Sequence, residues 1–410
     1  MKRVYRLFKD RNIQLVTHKK QVNILWFPII ETDDELYREV ARVVWYVNPI
    51  VNKVDKIVML VSSKYTHMNI LKLKIPEYVD ASIHKLLPAF LDKIIFVNEF
   101  QNIQPMRYDL VVEWKHLNDT KRKQAFYPYY INAAVMQNQF EANQIMKISN
   151  ILLGKNQKKD NYTKLINLLK KLKNQEYKSI YVFGSGPSLQ KFDTNTINND
   201  ESCSIICNSV VKNLDLLKKI NPKIIVATDA VFHAGYSKYA QEFRQAVTNA
   251  MDLIEDLFFL VPLRDYNLYI KNLPKRFNSR IIGIKGKKTQ KYNLDLLKKQ
   301  YLKSTSNVLT FFLLPIAVSL SKQIKIVGFD GKAPEDQNIF WQYDKKSQFL
   351  ETINYTKEAH PAFYKVDYKQ YYQNYCVEVQ KIVNTMQKKK IHIDIIGTSY
   401  VPALKALEND

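Results

Sequence analysis

The segment from Ser179 to Leu189 reads Ser-Ile-Tyr-Val-Phe-Gly-Ser-Gly-Pro-Ser-Leu. Five residues of strand character lead directly into two glycines and a proline, which predicts a strand followed by a tight turn in an α/β sheet. Gly184 and Gly186 allow the turn and let a ligand approach the backbone closely. Backbone N–H groups of such a turn, together with a helix N-terminus, can hold a phosphate. The turn therefore predicts a nucleotide site, with a purely structural strand-to-helix turn as the alternative.

Two common phosphate-binding motifs do not fit this turn. A dinucleotide fingerprint needs a third Gly or Ala where Leu189 stands, and a P-loop needs a Gly-Lys-Ser/Thr triplet that the segment lacks. Pro187 also removes one backbone donor. The turn therefore matches neither motif in detail, and by itself it is only moderately specific for a nucleotide.

The rest of the second half alternates strand and helix patterns, which is typical of a parallel sheet. Strands are predicted at 204–207, 223–227, 258–261, 280–284, 324–327 and 391–396, and helices at 308–321 and 371–390. The irregular segment 331–364 is long enough to predict a lid.

The first half shows the same alternation on a smaller scale. Strands are predicted at 21–27, 56–62, 92–97 and 109–114, and a helix at 33–46 with Thr32 as N-cap and Glu35 three residues later. We therefore predict an α/β chain of two Rossmann-like domains with mostly parallel sheets. Their bounds are 1–150 and 178–410, joined by a helical linker at 151–177.

The net charge and the cysteine content indicate which partners and which cellular compartment to expect. The 410 residues include 62 Lys and Arg against 39 Asp and Glu, a net charge of +23. This excess indicates either an anionic partner or the Lys-rich composition of an AT-rich genome. Three cysteines without metal or redox spacing fit a reducing compartment. Without a signal sequence or spanning segment, the expected location is cytoplasmic, with peripheral association at the inner face of the membrane left open.

The order of motifs resembles that of the bacterial lipooligosaccharide sialyltransferases and the related motility accessory proteins that modify flagellin. The turn at 184–189 is similar to the family's Gly-Asn-Gly-Pro-Ser-Leu. Asn208 follows Ile-Cys as in the family's second strand, and Asp229 stands at the next strand end, where the sialyltransferases carry Asn. Ser304-Thr305-Ser306-Asn307 resembles the family's Thr-Ser-Gly helix start, and Gly328-Phe-Asp330-Gly its Gly-Ile-Asp.

A lid with tyrosines and a histidine follows in that family, and here Tyr343 and His360 stand in the corresponding segment. The resemblance covers about 178–399. It implies that residues 178–410 form a catalytic domain that has the sialyltransferase fold and binds a nucleotide sugar. Residues 1–150 are then expected to form a domain on the acceptor side.

The resemblance implies transfer of sialic acid, or of a related nonulosonic or ulosonic acid such as Kdo, from a CMP-activated donor. His360 is then the expected general base, with His233 as a second candidate, and Tyr343 donates to the leaving phosphate. The expected donor-binding residues are Gly184, Ser185, Gly186, Pro187, Ser188, Asn208, Asp229, Ser304, Thr305 and Ser306. No Asp-x-Asp pair is present, so neither a metal nor another cofactor is expected.

The expected partners are the CMP-activated sugar and a glycan or lipid-linked oligosaccharide acceptor, while an anionic membrane and a second copy of the chain stay open. One alternative is a pterin pyrophosphokinase-like enzyme, which would need ATP, magnesium and acidic ligands such as Asp193 and Asp229. Another is a basic, non-catalytic nucleic-acid-binding protein. Nucleic acid is not the expected partner, because no recognition motif of that kind is present.

Overall fold

The computed structural model describes residues 21–98, 107–115, 130–132, 156–333, 343–361, 364 and 367–408. The chain divides into two compact units. The first unit holds Met1–Lys155, Ala230–Gln241 and Thr352–Val366, and the second holds Asn156–Asp229, Glu242–Glu351 and Asp367–Asp410.

The described elements follow one another in βα order. The strands are β1 (Val22–Ile30), β2 (Val54–Val61), β3 (Ile94–Val97), β4 (Leu110–Glu113), β5 (Tyr130–Asn132), β6 (Ser179–Phe183), β7 (Ser202–Cys207), β8 (Ile224–Val226), β9 (Phe258–Pro262), β10 (Ile281–Lys287), β11 (Tyr301–Lys303), β12 (Gln323–Val327) and β13 (His392–Ile396). The α-helices are α1 (Asp33–Val47), α2 (Ile83–Leu86), α3 (Asn156–Lys173), α4 (Leu214–Ile220), α5 (Lys238–Leu253), α6 (Tyr266–Asn272), α7 (Leu314–Leu320), α8 (Tyr355–Ala359), α9 (Tyr368–Gln387) and α10 (Pro402–Lys405). A π-helical turn, Leu309–Leu313, leads into α7.

The first unit contains a five-stranded sheet in the order β3-β2-β1-β4-β5, with every pairing parallel. Helix α1 begins as predicted: Thr32 accepts the N–H of Glu35, and the Glu35 carboxylate accepts the N–H of Glu31. The strand β1 continues past Pro28 to Ile30, through a shift in its register with β2, so the predicted end of this strand at residue 27 is wrong.

The second unit contains an eight-stranded sheet in the order β11-β10-β9-β8-β7-β6-β12-β13, again with parallel pairings. Strand order proceeds in one direction from β6 to β11 and reverses between β6 and β12. In open parallel sheets, ligands bind at the carboxyl edge beside such a reversal, the topological switch point. The predicted α/β class with parallel sheets is confirmed.

The unit bounds differ from the predicted domain bounds in two places. Helix α3 is part of the second unit rather than a linker, because Leu165, Leu168 and Leu169 are buried in that unit's core and Asn161 accepts the N–H of Gly283. Residues 230–241 and 352–366 belong to the first unit, although they lie within the predicted domain 178–410. Among the residues that the structure describes, no helix has the length and apolar character to cross a bilayer.

Candidate functional site

Three backbone N–H groups of the glycine turn after β6 donate to acceptors inside the protein. Gly184 N–H donates to Val327 O at 2.8 Å, and Gly186 N–H donates to Gly328 O at 2.9 Å. Ser188 N–H donates to Asp330 Oδ1 at 2.9 Å. Pro187 starts a five-residue 3-10 turn instead of an α-helix. The expected phosphate-binding site at a helix N-terminus is therefore wrong in two respects. No α-helix follows the turn directly, and the N–H groups of Gly184 and Gly186 bond to the end of β12.

The glycines are required by the close approach of these two strand ends. A Cβ added at Gly184 would lie 2.4 Å from Gly328 O, and one at Gly328 would lie 2.3 Å from Gly184 O. Gly186 faces the Asp330 carboxylate, where a Cβ would lie 2.0 Å from Oδ2. Gly328 also has a φ of +72°, which favours glycine. The glycines thus allow the close contact between β6 and β12 that forms the topological switch point.

Asp330 holds this arrangement from the β12 side. Its carboxylate accepts the N–H and the hydroxyl of Ser188, both at 2.9 Å. Burial raises the pKa of Asp330 above its ordinary value, while the hydrogen bonds from Ser188 and the charge of Lys191 oppose the rise. The Asp330 carboxylate thus acts as a clamp that fixes the turn after β6 to the end of β12.

A cavity of about 350 Å³ opens beside the clamp. Its walls come from the turn after β6, the end of β12 and the end of β13, and include Ser188, Lys191, Phe192, Asp330, Thr398 and Tyr400. An ammonium group, hydroxyl groups and aromatic rings face one space at the carboxyl edge. That volume and chemistry suit a nucleoside-sized polar ligand.

Asn208 follows β7 directly and has an unusual conformation. Its φ is +50°, a region that residues other than glycine rarely occupy. Its Oδ1 atom is buried and has no hydrogen-bond partner among the described residues. Strained backbone and an unsatisfied buried acceptor both cost free energy, and both are common at binding sites. The structure thus places a candidate ligand-binding group where the sequence predicted one.

The ends of β8, β9 and β11 supply further polar groups. Asp229 follows β8, and Arg264 follows β9 and donates to the β8-end carbonyl, Thr228 O, at 3.0 Å. Tyr371 of α9 donates to Ser306 O at 2.7 Å. Burial and the nearby Asp229 carboxylate raise the pKa of Tyr371, so its hydroxyl stays protonated and can donate. Sequence reasoning missed Tyr371 and Arg264, since neither belongs to a motif.

The Ser304–Ser306 run lies before the π-helical turn, with Ser304 and Ser306 exposed. The helix cap is Asn307, whose Oδ1 accepts the Thr310 N–H at 2.9 Å. Thr305 accepts a hydrogen bond from the Thr310 hydroxyl at 2.9 Å. The run is therefore not needed for capping, which leaves Ser304 and Ser306 accessible to a ligand.

Tyr343 begins the described part of the lid segment, and its neighbour Asp344 is fixed to the glycine turn. Asp344 N–H donates to Ser185 O at 2.8 Å. Tyr343 is half-buried and belongs to the second unit, as do all the predicted donor-binding residues. The lid residues 334–342, which include Phe340, Trp341 and Gln342, lie outside the described residues.

Both candidate bases belong to the first unit. His360 is 1% exposed, its Nε2 atom has no hydrogen-bond partner among the described residues, and its ring packs on Tyr236 at 4.8 Å between centroids. Burial, reinforced by the charge of Arg42, lowers the pKa of His360 to about 3. His233 is also buried. A general base works best with a pKa near the operating pH and within reach of the substrate, and a ring this deep and this weakly basic meets neither requirement in this structure.

The pyrophosphokinase alternative needs acidic metal ligands, and Asp193 was one of the two candidates. Asp193 is exposed and caps a 3-10 turn through the N–H of Asn195, at 2.9 Å. Within the described ranges, His, Cys, Asp and Glu side chains form no group of three that could hold a metal ion. Metal independence stays a prediction.

No family model matches the chain, and no curated protein matches it. Among solved structures, the chain is similar to the sialyltransferase CstII from Campylobacter jejuni in complex with a substrate analogue, CMP-3FNeuAc. The identity is 14% and the TM-score 0.26, over 57% of this chain and 89% of that one. Values this low leave the donor, the acceptor and the catalytic groups of this chain unassigned, and the resemblance to motility accessory proteins stays a prediction.

Proposed function

We propose that the chain is a glycosyltransferase that binds a CMP-activated acidic sugar at the carboxyl edge of the eight-stranded sheet. The acceptor is a glycan or a lipid-linked oligosaccharide. The observation that carries the proposal is Asn208, which combines a φ of +50° with a buried, unpaired Oδ1 atom at the end of β7. The CMP-linked acidic sugar is inferred from the order of the motifs that surround it.

In this proposal the nucleotide occupies the cavity beside Asp330, called the switch-point cavity, and the sugar extends over the carboxyl ends of β7 and β8. Lys191 supplies a cation in the cavity, and Phe192 supplies a ring on which a base or ribose can pack. The sugar then lies between Ser185, Asn208 and Asp229, at the ends of three adjacent strands. Asp229 can accept hydrogen bonds from sugar hydroxyls.

The reaction breaks the bond between the anomeric carbon and the phosphate, and forms a bond to an acceptor oxygen. Lys191 and Tyr343 stabilise the charge that develops on the departing phosphate. The acceptor proton passes to a base, for which His360 is the prediction from the motif order. A base role requires that acceptor binding exposes the His360 ring and raises its pKa, because it is buried in the absence of substrate.

Ligand binding by matched asparagine variants tests the proposal. Asn221 shares the left-handed conformation, with a φ of +40°, but caps α4 before β8, at the amino edge of the same sheet. Glycine suits both positions. We expect Asn208→Gly to weaken binding of the donor analogue CMP-3FNeuAc about tenfold or more, consistent with the loss of a buried hydrogen bond to the sugar, and Asn221→Gly to leave it unchanged. Isothermal titration calorimetry measures both.

A thermal-shift panel of CMP, CDP, UDP, GDP, ADP and NAD, with ATP plus magnesium added as a further sample, tests the nucleotide. Selective stabilisation by cytidine nucleotides without metal supports the proposal. Selective stabilisation by ATP with magnesium would favour the pyrophosphokinase alternative, and salt-sensitive binding of nucleic acid alone would favour the non-catalytic one. Transfer activity of His360→Ala that equals the wild-type rate removes His360 as the base.

A further inference from the structure

Two segments of the second unit carry the same high local charge. Residues 155–173 and residues 285–303 each contain seven lysines and one aspartate among 19 residues. In the whole chain, Lys and Arg together make up 62 of 410 residues. The two segments are therefore more than twice as basic as the chain average, and the Lys-rich composition of the chain does not by itself account for them.

The structure accounts for the lysines of the first segment. Lys170, Lys171 and Lys173 form the basic last turn of α3, where cations interact favourably with the helix dipole. Lys164 pairs with Asp160 at 2.9 Å. Because α3 leads into the start of β6, its last turn lies at the amino edge of the eight-stranded sheet, opposite the candidate site.

Four exposed lysines of the second segment lie on β10 or shortly after it, and we call them the edge lysines: Lys285, Lys287, Lys288 and Lys291. In the described part of the chain, the ion pairs of this segment belong to Lys298 and Lys303 instead. Lysines often protect the outer strand of a sheet from pairing with another chain. The outer strand on this side is β11, whose lysine, Lys303, is buried and pairs with Glu378 at 2.8 Å. Edge protection therefore does not explain the edge lysines.

The edge lysines border the carboxyl edge of the sheet, where the candidate site lies. Strand β10 is parallel to both of its neighbours, and Lys287 is its last residue. The Lys287 carbonyl accepts the N–H of Ser304, the first residue of the serine run, at 2.8 Å. Strand β10 lies four strand spacings from β6, or about 19 Å. The edge lysines are therefore too far from the switch-point cavity to bind a nucleotide phosphate held there.

The chemistry around the edge lysines fits a membrane better than a nucleic acid. Proteins that bind single-stranded nucleic acid add exposed aromatic rings or arginines to their basic surface. The segment 285–303 contains no arginine. Its two tyrosine rings are occupied, since Lys287 Nζ lies 3.9 Å from the centre of the Tyr301 ring and Tyr292 donates its hydroxyl to Glu378. An anionic bilayer needs only positive charges near its surface, and each lysine there raises the affinity about fivefold.

We propose that the edge lysines form a docking surface for an anionic phospholipid bilayer. Docking brings the carboxyl edge of the eight-stranded sheet next to the lipid headgroups. The contact does not depend on the proposed function. Under that function it favours the lipid-linked acceptor over the free glycan, because a lipid-linked acceptor is held at the same surface as the site.

Co-sedimentation of the full chain with vesicles tests the docking surface. The vesicles contain phosphatidylcholine alone or phosphatidylcholine mixed with phosphatidylglycerol. We expect the wild type to bind the mixed vesicles and not the neutral ones. The triple substitution Lys287→Gln, Lys288→Gln and Lys291→Gln is expected to weaken binding to the mixed vesicles about 100-fold, at about fivefold for each lysine.

The matched control is the triple substitution Lys170→Gln, Lys171→Gln and Lys173→Gln. It removes the same charge from exposed positions at the amino edge. We expect its vesicle affinity to stay within about twofold of the wild type, since salt screens charges far from the contact. Both triple variants are expected to bind CMP with wild-type affinity in calorimetric titration, which separates docking from donor binding.

Four results overturn the inference and leave the proposed function standing. The first is a wild-type chain that binds neither kind of vesicle, and the second is equal binding to both kinds. The third is an equal or larger loss in the amino-edge variant, which would assign the attraction to net charge or to α3. The fourth is an equal loss of affinity for a single-stranded oligonucleotide in the edge variant, which would indicate a general polyanion surface. A wild-type chain that binds the mixed vesicles but not CMP supports docking and overturns the proposed function.

Discussion

The substitution Gly328→Ala adds one methyl group where the ends of β6 and β12 are in contact. We expect it to lower the free energy of unfolding strongly. The new Cβ would lie 2.3 Å from Gly184 O, whereas real Cβ atoms essentially never approach closer than 3.0 Å. Because the obstacle is backbone, the two turns must separate. Separation lengthens the hydrogen bond from Gly186 N–H to Gly328 O, which is 2.9 Å long.

The expected cost has two sources. An alanine at a φ of +72° costs about 1–2 kcal/mol. Overpacking and the weakened hydrogen bond add about 2–4 kcal/mol. The total of about 3–6 kcal/mol is a large share of the 5–15 kcal/mol by which a typical domain is stable. We therefore expect the thermal midpoint to fall by at least about 6 °C.

Scanning calorimetry and urea denaturation followed by circular dichroism measure this change. Gly286→Ala is the control, because its Cβ would meet a movable group, the exposed Ser304 hydroxyl, at 2.7 Å. We expect that variant to lose less than about 1 kcal/mol. A Gly328→Ala protein within about 0.5 kcal/mol of wild type, or one no worse than Gly286→Ala, would refute the reasoning.

Three further predictions concern buried or paired charges. Partial burial raises the pKa of Glu378, but hydrogen bonds from Lys303 and two neighbours outweigh it and lower the pKa to about 2. Glu378→Gln should therefore cost about 1–2 kcal/mol at pH 7 after allowance for solvent screening. In urea denaturation at several pH values, this difference should be fully present above pH 4.5 and be lost as the pH falls from 4.5 through 2, since the carboxylate is protonated in both states only below both pKa values. Arg42→Met should cost about 1.5–3 kcal/mol, because the fully buried Glu39 carboxylate loses a cation that is hydrogen-bonded to it at 2.7 Å and keeps Arg38 at 3.2 Å. Wild-type stability of the variant in urea denaturation would contradict the prediction. The pKa of His360, about 3, lies below that of the unfolded chain, so the stability that His360 contributes is lost as the pH falls from 6.5 towards 3. His360→Gln should flatten that decline, by up to about 1.4 kcal/mol per pH unit, in the same kind of titration.

Local patterns were sufficient to predict most of the sheet and part of the site. Strand Ser179–Phe183 and the glycine turn follow from β-branched and aromatic residues beside glycine and proline, and the cap of α1 follows from Thr32 and Glu35. Asn208 was predicted from the resemblance of Ile-Cys-Asn to a family motif, and its role in donor binding stays a prediction. The three-residue strand β11 was missed, since so short a run carries no periodic signal.

The sequence by itself therefore determined the α/β class and the strand ends that carry polar groups, because these depend on neighbours along the chain. Only the tertiary structure decided that the glycine turn's N–H groups bond to β12, that Lys287 lies beside Ser304, and that His360 is buried in the first unit. Strand order and burial come from contacts between residues far apart in sequence, and no local pattern encodes which distant groups meet.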